Sequence, residues 1–101
     1  MQQISHAFRA EIWLYPGAKA AWYFLTIPKK ISASIKKDFG SKAKGWGSIP
    51  VEVTIGKTSW KTSVFPDRKQ NAYILPLKTA VRKKEGITKG DHLPVRIKIA
   101  V

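Results

Sequence analysis

The side chains able to do chemistry in this 101-residue chain are few and poorly matched. Two histidines, His6 and His92, and six carboxylates, Glu11, Asp38, Glu52, Asp67, Glu85 and Asp91, form no metal-ligand or acid/base motif with one another. Cysteine is absent, which removes thiolate catalysis, disulfides and cysteine-containing metal sites. Asp91, following Lys89-Gly90, suits a turn closed by a side-chain hydrogen bond to backbone. Glu11 and Glu52 read as strand-surface partners of nearby lysines rather than general bases. These residues predict a non-catalytic protein that needs no metal or cofactor.

Binding chemistry is better supplied. Nineteen Lys and Arg face six Asp and Glu, giving a formal charge of +13 and a pI near 10.3, a field that attracts polyanions in a steeply salt-dependent way. The charge is even along the chain, +6 in residues 1–50 and +7 in 51–101, so it forms a folded basic surface and not an arm. Two clusters stand out: Lys36, Lys37, Lys42 and Lys44 around Trp46, and Arg82, Lys83 and Lys84. Between Gly45 and Gly47, Trp46 has the backbone freedom to offer its ring for base stacking; the competing reading is that it caps an open end of the fold. Fifteen Lys against four Arg favour diffuse phosphate contact over base-edge reading, so nucleic-acid binding here would be sequence-tolerant. A lysine-rich surface also suits solubility or a thermophilic proteome.

The alternative function is a protein-interaction or small-ligand module using exposed aromatics, Trp13, Trp46 and Trp60. The two readings make opposite demands. A shared nucleic-acid surface requires both basic clusters on one face, whereas a ligand module requires a concave aromatic pocket with lysines scattered outside it.

The elements that must position these residues follow from periodicity. Phe8, Ala10, Ile12 and Leu14 alternate with Arg9, Glu11 and Trp13 as a half-buried strand, Tyr15-Pro16-Gly17 turns the chain, and Trp22–Ile27 is an inner strand ended by Pro28. Ile31, Ile35 and Phe39 then define a short helix stopped by Gly40, with Lys29, Lys30, Lys36 and Lys37 in solvent, before a basic loop at 41–48. Val51, Val53 and Ile55 form a strand that Gly56-Lys57 turns into a second, Ser59–Phe65. Pro66–Lys69 is a turn, Ala72–Leu75 a short strand, Pro76 opens a second helix stopped by Gly86, and Val95, Ile97, Ile99 and Val101 mark a last strand.

The halves parallel each other. Ile27-Pro28-x-Lys30, a helix, Gly40 and Ser48-Ile49-Pro50-Val51-x-Val53-x-Ile55 match Leu75-Pro76-x-Lys78, a helix, Gly86 and His92-Leu93-Pro94-Val95-x-Ile97-x-Ile99. The proline spacings are 22 and 18 residues, and the extra four are assigned to the 41–48 loop. One domain is expected at this length, with pseudo-repeat halves of about 6–56 and 57–101. Neither half can bury both faces of its strands, so they should interlock about a pseudo-two-fold axis into one barrel.

The segment Leu75–Asp91 and the strand after it resemble the proline, basic helix, glycine-aspartate turn and strand of the AbrB/MazE-like swapped-hairpin regulators and antitoxins. Over residues 6 to 101 the chain is similar to a small bacterial domain-of-unknown-function family sometimes found with YdeI/OmpD-associated bacteriocin-protection domains. The matching residues include Phe8, Trp13, Trp22-x-Phe24, Pro28, Gly45-x-Gly47, Trp60-x-Thr62-Ser63-x-Phe65-Pro66, Tyr73-x-Leu75-Pro76, Gly86-Ile87 and Gly90-Asp91. The resemblance implies a mainly β, double-split β-barrel with two short helices and an internal pseudo-two-fold duplication. It supplies no catalytic residues, and it offers DNA binding only through the regulators, which use basic residues from two chains where this chain has two halves. Partners expected are nucleic acid or another polyanion, or a protein. No apolar run reaches the ~18 residues of a membrane span and no signal-peptide pattern opens the chain, so a cytoplasmic, non-membrane location is expected.

Overall fold

Strand-forming alternation dominates the chain, and it closes on itself. The computed structural model describes residues 4–16 and 22–101. Its elements are β1 (Ser5–Leu14), β2 (Tyr23–Thr26), α1 (Lys29–Phe39), 3-10 turns at Gly40–Lys42 and Gly45–Gly47, β3 (Ile49–Ile55), β4 (Thr58–Asp67), β5 (Ala72–Leu77), α2 (Thr79–Glu85) and β6 (His92–Ile99). The strands form a closed antiparallel barrel in the order β1-β2-β5-β4-β3-β6. No helix is long and apolar enough to cross a membrane among the described residues.

Two long strands make closure possible. β1 pairs with β6 from Ser5 to Glu11 and then with β2 from Ile12 to Leu14. β4 pairs with β3 from Thr58 to Val64 and then with β5 from Phe65 to Asp67. Each long strand therefore passes from one sheet into the other, and the sheet has no free edge to protect. Exchanging β1 with β4, β2 with β5 and β3 with β6 leaves every strand pairing unchanged, so the barrel topology has the two-fold symmetry that the repeated proline–helix–strand pattern suggested. Each half is ββαβ.

The interior is filled by the inward set of the alternation. In β3, Ile49, Val51, Val53 and Ile55 are buried while Pro50, Glu52 and Thr54 are not; in β6, Val95, Ile97 and Ile99 are buried. Burying one such side chain is worth about 1.5–3 kcal/mol, which gives the register its stability because a one-residue slip would expose the whole row. Helix α1 buries Ile35 fully and packs Ile31 and Phe39 against the core.

Several expected boundaries move. Pro66 and Asp67 belong to β4, and the turn lies at 68–71, where Asn71 adopts φ 52°. Pro76 lies inside β5, opposite Phe24 of β2; β4 has left β5 by that point, so the missing N–H breaks no ladder. Helix α2 consequently starts at Thr79. Gly40 does not stop α1 in a left-handed turn but continues right-handed at φ −58° into a 3-10 turn, whereas Gly86 stops α2 at φ 65° as expected. The last strand ends at Ile99, leaving Val101 exposed. Leu14 is also exposed, and Trp22, whose carbonyl accepts from Tyr15 N–H at 2.8 Å, precedes β2 in solvent. The expected Gly17 turn lies outside the described residues.

The surplus of four residues in the first half is not confined to the 41–48 loop. The backbone bond from Gly47 N–H to Lys44 O has its counterpart from Asp91 N–H to Thr88 O, so the 44–47 turn matches the 88–91 turn. The helices differ by four residues, 11 in α1 against 7 in α2, and the links from helix to turn by two more, 40–43 against 86–87, while residues 77–78 between Pro76 and α2 have no counterpart after Pro28.

Candidate functional site

The two helices sit at opposite ends of the barrel. β2 begins at the α2 end, where the Arg82 guanidinium lies 3.7 Å from the centre of the Tyr23 ring, and runs directly into α1 through Ile27 and Pro28. β4 makes the same traverse: the Thr58 hydroxyl donates to Glu85 of α2 at 2.6 Å, and Pro66, near its other end, touches the loop that follows α1. Ten strand residues span about 30 Å. The cluster Arg82, Lys83 and Lys84 is thus separated by the length of the barrel from Lys36, Lys37, Lys42, Lys44 and Trp46. The two clusters therefore do not share one end of the barrel, and Arg82 is already engaged by an aromatic face.

Among the described residues, the α1 end carries a concavity. A groove of about 670 Å³ lies between α1, the turn after it and the β4–β5 connection. Lys29, Lys30 and Lys36 line it from the helix and Arg68 from the opposite turn. On α1 the groove-facing residues Lys29, Ala33, Lys36 and Gly40 recur at spacings of four, three and four, a stripe beside the apolar one. The small side chains of Ala33 and Gly40 leave the room that the lysine stems border.

The groove floor is cross-linked by hydrogen bonds. The buried Ser32 hydroxyl donates to Ile27 O at 3.0 Å and accepts from the Tyr73 N–H at 3.0 Å, tying α1 to β5. Burial pushes the Tyr73 phenol above its ordinary pKa, so it stays neutral beside the lysines. Asp67, the one carboxylate lining the groove, is occupied: it accepts from Lys69 N–H at 3.1 Å and from Gln70 Nε2 at 2.7 Å. Gln70 Oε1 in turn accepts from Thr26, whose Oγ1 accepts from Trp13 Nε1, a chain that fixes the turn to β1 and β2. The two ion pairs among the described residues, His92–Glu11 and Lys98–Glu52, both lie elsewhere, and the groove's four cations enter neither.

Trp46 stands beside this groove, 92% exposed, in a left-handed conformation at φ 64°. It caps nothing. The loop carrying it is pinned by Lys44 N–H to Ser48 O at 2.9 Å, and Gly47, at φ 70°, lies so close to Pro66 that a Cβ would sit 3.0 Å from that ring. Lys37, Lys42 and Lys44 are exposed around the groove without lining it.

The other singled-out aromatics are not exposed. Trp13 is half-buried in a stack with Phe24 at 5.1 Å and Tyr15 at 6.2 Å. Trp60 packs on the core with its Nε1 buried and unpartnered. Trp22 and Tyr15, 58% and 49% exposed, take their place on the surface. The carboxylates have structural employment: Asp91 Oδ2 accepts from Thr88 N–H at 2.9 Å, Glu52 pairs with Lys98, and Glu11 pairs with His92 rather than with a lysine. A second concavity, on the outer face of β1, β6 and β3, holds Arg9, Arg96 and Lys98, but Glu52 already faces Lys98 there.

Residues 8–97 match the family described as a domain of unknown function (DUF1905). The chain belongs to this family. A search of the curated proteins returns no match. The match spans both helices and carries no function with it, so the groove must be read from its own chemistry. Lys29, Lys30, Arg68 and Ser32 were not singled out as site residues from the sequence; the stripe 29–33–36–40 was the available signal for Lys29, Lys30 lies one position off it, and only the tertiary turn brings in Arg68.

Proposed function

We propose that this DUF1905 protein is a non-catalytic binding module that takes the phosphate backbone of nucleic acid, without sequence preference, in the groove at the α1 end of the barrel. The single observation carrying this reading is the convergence of Lys29, Lys30, Lys36 and Arg68 on one cavity whose lone carboxylate is engaged by its own turn. Cations held together without partners repel one another, and an anion relieves that repulsion. Lysine suits the role, since it contacts phosphates as a mobile point charge without demanding a base edge.

The two-cluster surface is replaced by this one-ended site, with Arg82 held on Tyr23 and Lys83 and Lys84 left as solvent charge. The aromatic-pocket alternative loses support, because Trp13 and Trp60 are packed and the groove itself is lined by cations. The likeness of the second half to swapped-hairpin regulators lends nucleic acid, by analogy only, as the polyanion. A cytoplasmic setting, with which the cysteine-free sequence is compatible, belongs to the same proposal.

Fluorescence anisotropy with labelled short oligonucleotides at about 50 mM salt tests it. Saturable binding that is abolished by K30E/K36E is the expected result; no binding by the wild-type protein overturns the reading.

A further inference from the structure

Trp46 departs from two rules of folded chains at once. Large apolar side chains are normally covered, yet this one, at 92% exposure, is by a wide margin the most exposed of the large hydrophobic residues described. Left-handed backbone is normally given to glycine, yet here an aromatic residue adopts φ 64°. The pseudo-symmetry supplies an internal control. Aligning the 44–47 turn with the 88–91 turn, whose hydrogen bonds correspond, puts Trp46 opposite Gly90, which adopts φ 90°. The fold therefore needs a left-handed residue at this position, and the second half meets the need with glycine at no steric cost. In the first half the same position carries the largest side chain available, on a pinned loop, beside the half of the molecule that has the basic groove. Neither packing nor backbone conformation accounts for it.

Resting on the reading of the groove as a phosphate site, we infer that Trp46 is a stacking platform for an unpaired base, so that the protein selects single-stranded over double-stranded nucleic acid. The groove cations Lys29, Lys30, Lys36 and Arg68 hold the backbone, and the indole takes the face of a base lying over the groove mouth. A duplex offers only base edges in its grooves, with every interior face covered by its neighbours; a single strand can turn a base out onto an indole. Stacking is tolerant of base identity, because every base has a π-face, in keeping with a lysine-dominated and sequence-tolerant backbone contact. Gly45 and Gly47 leave both sides of the ring free of flanking side chains.

The test uses a fluorescein-labelled 12-nucleotide single strand and a duplex of the same length, titrated with wild-type protein, Trp46→Gly and Trp46→Phe. Trp46→Gly copies the symmetric residue and relieves the left-handed strain, so its urea midpoint should equal or exceed the wild type's, which removes misfolding as an explanation. Wild type is expected to prefer the single strand. Trp46→Gly should weaken single-strand binding by about 5- to 150-fold, equivalent to the about 1–3 kcal/mol of one stacked base, and erase the preference. Trp46→Phe should restore part of it. If Trp46→Gly keeps the wild-type preference, or the wild type binds strand and duplex equally, the stacking role is wrong while the phosphate groove stands. If the wild type binds neither probe, the groove reading fails and the stacking role falls with it.

Discussion

The salt dependence of binding measures how many cations act, and the structure gives a number for it. Four cations line the groove, Lys29, Lys30, Lys36 and Arg68. If each neutralises one phosphate of a single strand, log K falls with log salt at a slope of about −2.8, taking about 0.7 per contact. Raising salt from about 50 to about 200 mM should then cost about 50-fold in affinity. Were the whole formal charge of +13 acting, the slope would approach about −9 and the loss would exceed about 10⁵-fold. Removing two groove charges in K30A/K36A should bring the slope to about −1.4 and the loss over the same interval to about 7-fold. K83A/K84A removes the same charge at the opposite end of the barrel and should leave the slope at the wild-type value. Anisotropy titrations at four or five salt concentrations supply these slopes. A double variant in the groove with an unchanged slope, or an α2 variant that lowers it equally, would refute the localisation and leave a diffuse charge effect.

Two substitutions test the scaffold. At Gly56, φ 59°, any Cβ would collide with Glu85 Oε1, the carboxylate that also accepts from Thr58 and from Lys57 N–H, so G56A should lower stability by about 1–3 kcal/mol in urea unfolding. S32A leaves the buried Tyr73 N–H without an acceptor and should also cost about 1–3 kcal/mol; because the same bond fixes α1 over the groove, oligonucleotide affinity should fall with it, and a loss below about 0.5 kcal/mol would mean that water replaces the hydroxyl.

The period-two alternation of β3 and β6 made the barrel walls legible, because strands with one face in a core must alternate. The repeated proline–helix–strand order foreshadowed a two-fold barrel for the same reason: one half cannot cover its own strands. Boundaries near Pro66 and Pro76 were not legible. A proline can sit in a strand wherever the neighbour on its N–H side has departed, and that departure is a property of the closed sheet rather than of the local sequence. The site was legible in chemistry and not in geometry. Charge singled out Lys36 and glycine flanks singled out Trp46, but nothing in the sequence placed the helices at opposite barrel ends. That separation divorces Lys83 and Lys84 from Lys36 and brings Arg68 in from a turn 32 residues away. Trp13 and Trp60 misled for different reasons: Trp13, on the outer face of β1, is covered by Phe24 and Tyr15, whereas Trp60 lies opposite Val53 on the inward face of β4 and packs on the core.

The most direct test of the groove is a map of backbone amide chemical shifts in the ¹⁵N-labelled protein during titration with an unlabelled 12-nucleotide single strand at about 50 mM salt. Perturbations should concentrate at residues 29–36, 45–47 and 66–73, with α2 and the outer face of β6 unmoved. Perturbations centred on Arg82–Lys84, or spread evenly over every lysine-bearing surface, would contradict the groove site.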